Sequence, residues 1–254
     1  NGDPPIRCGA DRMEQYLPMI GERPIALVAN HTSLIEGTHL VDTLLSRGIQ
    51  KDQILKVFAP EHGFRGERAA GSLIDDSADP ETGIPIVSVY GANKKPSAEE
   101  LEGVELVVFD LQDVGARFYT YISTLHYVME ACGENGVPLL VLDRPNPNGN
   151  FVDGPLMEPA YSSFVGMHPI PVVYGLTIGE LAGMINGEGW LSKGVRCELE
   201  VIPCTNYSHS TSYSLPVSPS PNLSNDHAIR LYPSTCFFEG TILSEGRGTS
   251  MPFE

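Results

Sequence analysis

Short apolar runs recur along this chain at intervals that suit a strand–helix–strand repeat, and this spacing constrains the fold more than any other feature. The five runs lie at 24–30, 54–60, 85–91, 105–111 and 138–144, and they begin 30, 31, 20 and 33 residues apart. Short, continuous apolar runs are typical of strands that are buried on both faces of a parallel sheet. The spacing therefore predicts an α/β fold, a three-layer domain with a mainly parallel sheet.

Helical patterns separate the predicted strands. Apolar residues at helical spacing predict helices over 40–45 and over 118–135, the second ending at Gly136. A capping-box pattern at Thr177 and Glu180 predicts the start of a further helix. These helices would cover the two faces of the sheet.

The last quarter of the chain has a different character. Residues 195–201 alternate between apolar and polar and predict a half-exposed strand, and 205–221 reads as a long loop. The residues after Leu231 hold few apolar positions from which to build a core. We therefore expect one large domain over 1–190 and the start of a second lobe over 191–254, with the remainder of that lobe absent from this chain.

The charge balance excludes one class of partner. The 254 residues include 16 Lys and Arg against 32 Asp and Glu, a formal net charge of −16. Such a surface repels a phosphate backbone, so we expect no nucleic-acid partner. No apolar run reaches the length of a transmembrane helix, and the chain opens at Asn1 and not at Met, so we expect that a preceding segment has been removed.

Polar and charged side chains follow four of the predicted strands. The carboxyl ends of parallel strands meet at one edge of a sheet, where ligands bind in open α/β folds. The sequence therefore predicts a polar site at this edge. The candidate residues there are Asn30 and His31; Glu61, His62 and Arg65; Asp110, Asp113 and Arg117; and Asp143, Arg144 and Asn146.

Common cofactor and nucleophile motifs are missing from this sequence. The turn after the first strand lacks G-x-G-x-x-G, and neither G-x-x-x-x-G-K-[ST] nor the G-x-S-x-G elbow occurs. We therefore expect no cofactor, and both nucleotide binding and serine hydrolysis lose support.

Metal-assisted hydrolysis is one reading of the strand-end residues. His31, His62, Asp110 and Asp143 offer nitrogen and oxygen ligands, although no H-E-x-x-H or H-x-H pattern accompanies them. A histidine is also an ordinary hydrogen-bonding partner that orients a carboxylate. This alternative stays open.

Glycoside cleavage is the other reading, because it needs one group that protonates the leaving oxygen and another that acts as nucleophile, base or charge stabiliser. Glu61 is the better acid, since it follows an apolar strand directly and lies between Phe58 and Phe64. Apolar surroundings favour the protonated form that a general acid needs.

Six motifs, in order along nearly the whole chain, resemble those of the bacterial exo-β-N-acetylmuramidases of the NamZ type. They begin with Glu-His-Gly-Phe-Arg-Gly at 61–66 and continue at 110–121, 142–147, 154–159, 219–222 and 239–249. The resemblance implies a secreted or periplasmic enzyme of cell wall recycling, with a Rossmann-like domain and a second lobe. It would release N-acetylmuramic acid from the non-reducing end of peptidoglycan fragments, its saccharide partners. Glu61 matches the glutamate proposed as catalytic in that family.

The resemblance also suggests roles for the other candidates. The lactyl carboxylate of N-acetylmuramic acid suits a guanidinium fork, from Arg65, Arg117, Arg144 or Arg247. Rings for the sugar faces would come from Tyr119 and Tyr121, unless these are simply core residues. Hydroxyl or acetamido groups would be held by Asn30, Asn146 or Asn222.

The second catalytic group stays open at this stage. The candidates are Asp110, Asp113, Asp143, Glu158 and Glu245, and the 2-acetamido group of the substrate could replace a protein nucleophile. We place Glu61, His62, Asp110 and Asp143 in catalysis, and His31, Asp113, Glu158 and Glu245 with the arginines, tyrosines and asparagines in substrate binding. The alternative functions are a muropeptide-binding protein without catalysis and a metal-dependent hydrolase.

Overall fold

A computed structural model of the protein describes residues 4–61, 64–65 and 77–254. Within these residues, seven strands form one sheet in the order β5-β6-β4-β1-β7-β8-β9, and β2 and β3 form a separate hairpin. The strands are β1 (Ile25–Ala29), β2 (Leu34–Ile35), β3 (Thr38–His39), β4 (Ile54–Ala59), β5 (Ser77–Ala78), β6 (Pro85–Ser88), β7 (Leu106–Asp110), β8 (Leu139–Leu142) and β9 (Leu199–Ile202).

All neighbouring strands of the sheet run parallel except β5, which is antiparallel to β6. In chain order, the six parallel strands are arranged 3-2-1-4-5-6, which is the doubly wound order of Rossmann-like folds. The strand order reverses between β1 and β7, and a crevice at such a switch point is where these folds bind ligands. The predicted Rossmann-like, mainly parallel fold is confirmed.

The strands of the sheet centre are buried on both faces. Every residue of β1 and β7 is buried. Ala26 and Val28 belong to one apolar cluster, whereas Ile25, Leu27 and Ala29 belong to the other. Alternate side chains therefore point into two cores, which is why continuous apolar runs predicted these strands.

Five helices cover the described sheet. They are α1 (Met13–Ile20), α2 (Leu40–Ser46), α3 (Tyr121–Asn135), α4 (Ile178–Glu188) and α5 (Asp226–Thr235). Residues of α1 and α2 contribute to one cluster, and those of α3, α4 and α5 to the other. The structure therefore has the predicted three layers, and no described helix combines the length and the apolar character needed to cross a lipid bilayer.

The helix predicted over 118–135 begins later than expected. The backbone N–H of Arg117 donates to the carbonyl of Val172, and Ala116 pairs with Val173. This pairing holds the chain in a turn until Tyr121, where α3 begins. The helix ends as predicted, with Gly136 in the left-handed conformation at φ 67°.

The chain after 190 continues the same structure. β9 is parallel to β8 at the edge of the sheet, so the sheet reaches past the predicted boundary at 190. The strand is shorter than predicted because Asn186 binds the backbone of Cys197.

Residues 206–221 contain neither helix nor strand. Tyr232 and Phe253 pack into the cluster that also holds α3 and α4. The division into 1–190 and 191–254 stays a prediction.

A candidate active site beside the switch point of the sheet

A cleft of about 470 Å³, including its open mouth, lies at the carboxyl end of the sheet. Its walls come from the turn that follows β4, the turn between β7 and α3, and the segment from 220 to 253. The lining residues are Glu61, Phe118, Tyr119, Thr120, Tyr121, Ser220, Asn222, Leu223, Tyr232, Arg247 and Phe253. The cleft thus brings together five residues that the sequence had singled out: Glu61, Tyr119, Tyr121, Asn222 and Arg247.

Glu61 enters the cleft because β4 ends two residues before it, at the carboxyl edge of the sheet. Its side chain is half-buried. Tyr90, which follows β6, is the neighbour of this carboxyl: burial raises the pKa of Tyr90, and the charge of Glu61 and a side-chain hydrogen bond to it add to the shift. His62 lies outside the described residues, so its catalytic role stays a prediction.

Two tyrosines form the floor of the cleft. Their ring centres are 4.8 Å apart in an edge-to-face arrangement. The hydroxyl of Tyr119 donates to the carbonyl of Pro219 over 2.7 Å, and the hydroxyl of Tyr121 accepts from the amide of Asn30 over 2.7 Å. Burial raises the pKa of both phenols, so they stay neutral. Because both rings are nine-tenths buried, their geometry favours a supporting role.

The three asparagines occupy different positions. Asn30 is fully buried beneath the cleft, where it holds Tyr121 and accepts from the backbone of Thr32. Asn146 is also buried, and its amide binds the carbonyl of Leu176 and the N–H of Asn148. Asn222 alone among the three lines the cleft.

Asp110 and Arg144 form a buried ion pair away from the cleft lining. The guanidinium donates from Nε to Oδ1 over 2.6 Å and from Nη2 to Oδ2 over 2.9 Å, and Nη2 also reaches the carbonyl of Leu34. Arg144 is 2% exposed. These contacts differ from the predicted catalytic and lactyl-binding roles, because the two charges satisfy each other inside the protein.

Asp143 and Asp113 are also engaged inside the protein. Asp143 accepts from the hydroxyl of Thr177 over 2.7 Å and from the N–H of Gly179 over 2.8 Å, at the start of α4. Burial raises its pKa to about 6. Asp113 accepts from Tyr174 and from the N–H of Gly115, and burial raises its pKa to about 7. Neither carboxyl lines the cleft, so the structure leaves their predicted site roles without support.

The remaining candidates lie around the cleft or apart from it. Arg65 donates to Asp79 and Asp42, over 2.8 and 3.1 Å. His31 binds the carbonyl of Ser218 over 2.9 Å, and burial lowers its pKa. Glu158 is exposed and precedes a short 3-10 turn outside the cleft lining.

Arg247 borders the cleft from the C-terminal segment. It pairs with Glu239 and Glu245, at 3.1 and 3.2 Å, and its guanidinium carbon lies 5.4 Å from the ring centre of Phe253. Phe253 in turn packs edge-to-face on Tyr232 at 5.2 Å. Glu245 thus holds Arg247, a contact that its predicted substrate role did not include.

The metal alternative required His31, His62, Asp110 and Asp143 to converge. The contacts above commit Asp110 to Arg144 and Asp143 to the start of α4, while His62 lies outside the described residues. In the part of the chain that the structure describes, no three or more His, Cys, Asp or Glu side chains are grouped so that they could hold a metal ion.

Sequence reasoning missed six lining residues. Phe118 and Thr120 lie inside the motif at 110–121, and Ser220 inside the motif at 219–222, so the motifs themselves were the available signal. Leu223 follows that motif directly. Tyr232 and Phe253 carried no signal, because they belong to a segment that the sequence assigned to another lobe.

Fold and cleft together define a doubly wound α/β protein whose polar cleft holds a carboxyl, an amide and a guanidinium, groups that suit a sugar ligand. Family comparison makes this class specific. Residues 25–227 match the family described as exo-β-N-acetylmuramidase NamZ, N-terminal, and residues 230–254 match its C-terminal counterpart. The chain belongs to the NamZ family, and the resemblance inferred from the motifs is confirmed.

Individual relatives agree with this assignment. The chain is 42% identical over 261 residues to the peptidoglycan β-N-acetylmuramidase NamZ of Bacillus subtilis (strain 168), a match that spans 99% of this chain and 61% of that protein. Crystal structures of two DUF1343 family proteins from Bacteroides fragilis NCTC 9343 are similar to it. The first has a TM-score of 0.90 at 45% identity and covers 99% of this chain and 66% of its own. The second has a TM-score of 0.88 at 33% identity and covers 98% and 64%.

Proposed function

We propose that this protein is an exo-acting glycoside hydrolase that releases N-acetylmuramic acid from the non-reducing end of peptidoglycan fragments. The observation that carries the proposal is the position of Glu61, a carboxyl that enters a polar cleft at the switch point of the sheet. The name of the Bacillus subtilis relative supports the substrate class.

In this proposal Glu61 is the general acid. Its proton passes to the glycosidic oxygen as the bond between that oxygen and the anomeric carbon breaks. Among the described carboxyls, Glu61 alone lines the cleft, while Asp110, Asp113 and Asp143 are committed to internal contacts. This arrangement favours the 2-acetamido oxygen of the substrate as the nucleophile. Water then opens the resulting oxazolinium ring, and the Glu61 carboxylate accepts the proton of that water.

The proposal extends to the setting of the reaction. Peptidoglycan-derived saccharides would be the partners, and turnover of such fragments is a step of cell wall recycling. Because this material lies outside the cytoplasmic membrane, we propose a periplasmic or secreted location. Cell fractionation with a tagged copy of the complete gene product tests this part, and recovery in the cytoplasmic fraction would contradict it.

The test of activity compares Glu61→Gln with the unaltered protein on a chromogenic β-glycoside of N-acetylmuramic acid. Removing a general acid typically costs about 10²- to 10⁴-fold in rate, so we expect kcat to fall by that factor. Glu102→Gln, which changes an exposed carboxyl, is the matched control and should keep full activity.

Each alternative makes a different prediction in the same assay. Turnover that survives in Glu61→Gln would contradict the role of this residue. Binding of the sugar without turnover by the unaltered protein would favour a muropeptide-binding protein. Loss of activity on adding a chelator, restored by a divalent metal, would favour a metal-dependent hydrolase.

A further inference from the structure

Arg117 is a buried cation in the turn between β7 and α3. The residue is 7% exposed, and its Nη1 donates to the carbonyls of Pro155 and Ile170 over 2.8 and 2.6 Å. These bonds use one end of the guanidinium and tie it to the loop that follows β8. They supply no negative charge.

The opposite edge of the same guanidinium has no hydrogen-bond partner among the described residues. Nε is buried and has no hydrogen-bond partner, and Nη2 forms no hydrogen bond with any described residue. Nε and Nη2 together form the edge that binds a carboxylate through two parallel hydrogen bonds. A buried donor without a partner costs free energy, so this edge is a feature that needs an explanation.

Arg117 differs in this respect from the other arginines of the site. Arg65, Arg144 and Arg247 each pair with at least one carboxylate. Within the described ranges, 4–61, 64–65 and 77–254, no carboxylate pairs with Arg117. Burial lowers the pKa of Arg117, as expected for a cation that has left water without a counter-ion. An uncompensated buried charge is expensive, and a bound anion would offset that cost.

The guanidinium is also close to the cleft. Its central carbon lies 5.6 Å from the ring centre of Phe118, and that ring lines the cleft. Phe118 is therefore a common neighbour of the Arg117 guanidinium and of the cleft that Glu61 lines.

We infer that Arg117 binds the lactyl carboxylate of N-acetylmuramic acid through its free Nε and Nη2 edge, and so selects this sugar over N-acetylglucosamine. The inference rests on the proposed function for its substrate. Of the four arginines that the sequence offered for the lactyl carboxylate, it selects the one whose charge no described carboxylate neutralises. Arg247 lines the cleft, but it already pairs with two glutamates, which would repel a third carboxylate.

The experiment compares two substrates that differ only in charge. One is the chromogenic β-glycoside of N-acetylmuramic acid, and the other is the same glycoside with its lactyl carboxylate converted to the neutral amide. For Arg117→Gln, kcat/KM on the acid should fall about ten- to a hundredfold, the usual range for a charge-assisted contact, with little change on the amide. Arg117→Lys keeps the charge and loses the fork, so an intermediate loss is expected.

A matched control separates recognition from folding. Arg230 is an exposed arginine nearby that binds the side chain of Asn150 over 2.7 Å, and Arg230→Gln should keep the unaltered ratio of acid to amide. Equal losses on both substrates in Arg117→Gln and Arg117→Lys would overturn the inference, because they would show that Arg117 only fixes the loop at Pro155 and Ile170. The absence of any preference for the acid in the unaltered protein would overturn it as well.

Failure of the proposed function would give a distinct result. If the unaltered protein hydrolyses neither glycoside, calorimetry with free N-acetylmuramic acid and its lactyl amide still tests the arginine. Tighter binding of the acid that Arg117→Gln abolishes supports the inference without any catalysis. Identical binding of acid and amide contradicts it.

Discussion

Asp113 is a carboxyl that the folded protein keeps protonated to unusually high pH. Burial raises its pKa to about 7, whereas an unfolded Asp titrates near pH 4. Below pH 4 both states carry the proton. Between pH 4 and 7 the unfolded chain releases the proton while the folded protein holds it, so rising pH favours unfolding in this window.

We therefore predict that the free energy of unfolding contributed by Asp113 falls from pH 4 to 7, by at most about 1.4 kcal/mol per pH unit, and is flat above pH 7. Urea denaturation at a series of pH values measures it, as the difference between the unaltered protein and Asp113→Asn. Asp52→Asn changes an exposed carboxyl and should leave the pH profile as it was. A profile for Asp113→Asn that parallels the unaltered one would contradict the prediction.

At the residue scale, sequence reasoning predicted the positions of charged residues in the sheet better than it predicted their roles. A residue that follows a buried strand lies at the carboxyl edge of the sheet, so the position of Glu61 at this edge was predictable. Which ionisable groups neutralise each other depends on directions across the sheet that sequence spacing does not encode. Asp110 and Arg144 are 34 residues apart and meet as an ion pair, and for this reason neither is available to the cleft.

At the scale of elements, Thr177 at the start of α4 both caps the helix and binds the buried carboxyl of Asp143. The Thr177 hydroxyl accepts from the N–H of Glu180 over 3.2 Å and donates to Asp143 over 2.7 Å. In turn, the backbone N–H of Thr177 donates to the Glu180 carboxylate over 2.8 Å. One side chain therefore both begins the helix and fixes the end of β8.

We predict that Thr177→Ala lowers the free energy of unfolding by about 1–3 kcal/mol, because it removes the cap and leaves Asp143 with one hydrogen bond fewer. Chemical denaturation at pH 7 measures the change. Thr177→Ser keeps the hydroxyl and should retain most of the stability. If the serine variant lost as much as the alanine variant, the methyl group and not the hydroxyl would be responsible.

Helix α4 was predictable and the start of α3 was not, for a physical reason. A capping box is a local pattern of two residues three positions apart, so Thr177 and Glu180 predict the start of α4 from the sequence alone. The start of α3 depends on pairing between Ala116 and Val173, which are far apart along the chain. Long-range pairing of this kind overrides local helical spacing and delays the helix to Tyr121.

On the scale of the whole molecule, the C-terminal segment completes the cleft and joins the core. Phe253 is 2% exposed and contacts both Tyr232 and Arg247. Sequence composition predicted a separate lobe, because few apolar residues follow Leu231. Tyr232 and Phe253 belong to the same apolar cluster as residues of α3 and α4, a contact that composition alone does not reveal, and the division at 190 stays a prediction.

We predict that Phe253→Ala lowers the free energy of unfolding by about 3 kcal/mol or more, as for other buried aromatic side chains, and raises KM through the loss of support for Arg247. Denaturation and kinetics on the chromogenic muramic acid glycoside measure the two effects. Met251→Ala changes a side chain that is 58% exposed and should shift stability by less than about 0.5 kcal/mol. Equal losses in both variants would contradict the role given to Phe253.

Residues 245–253, which include the cleft-lining Arg247 and Phe253, follow the sheet in the sequence, and this order has a consequence for biosynthesis. Ribosomes make proteins from the N-terminus, so Glu61 and every described strand of the sheet emerge before residues 245–253. A nascent chain can thus fold its sheet while one side of the cleft is still being translated. The cleft gains its C-terminal wall only after residues 245–253 have left the ribosome, so the cleft is completed later than the sheet that carries it.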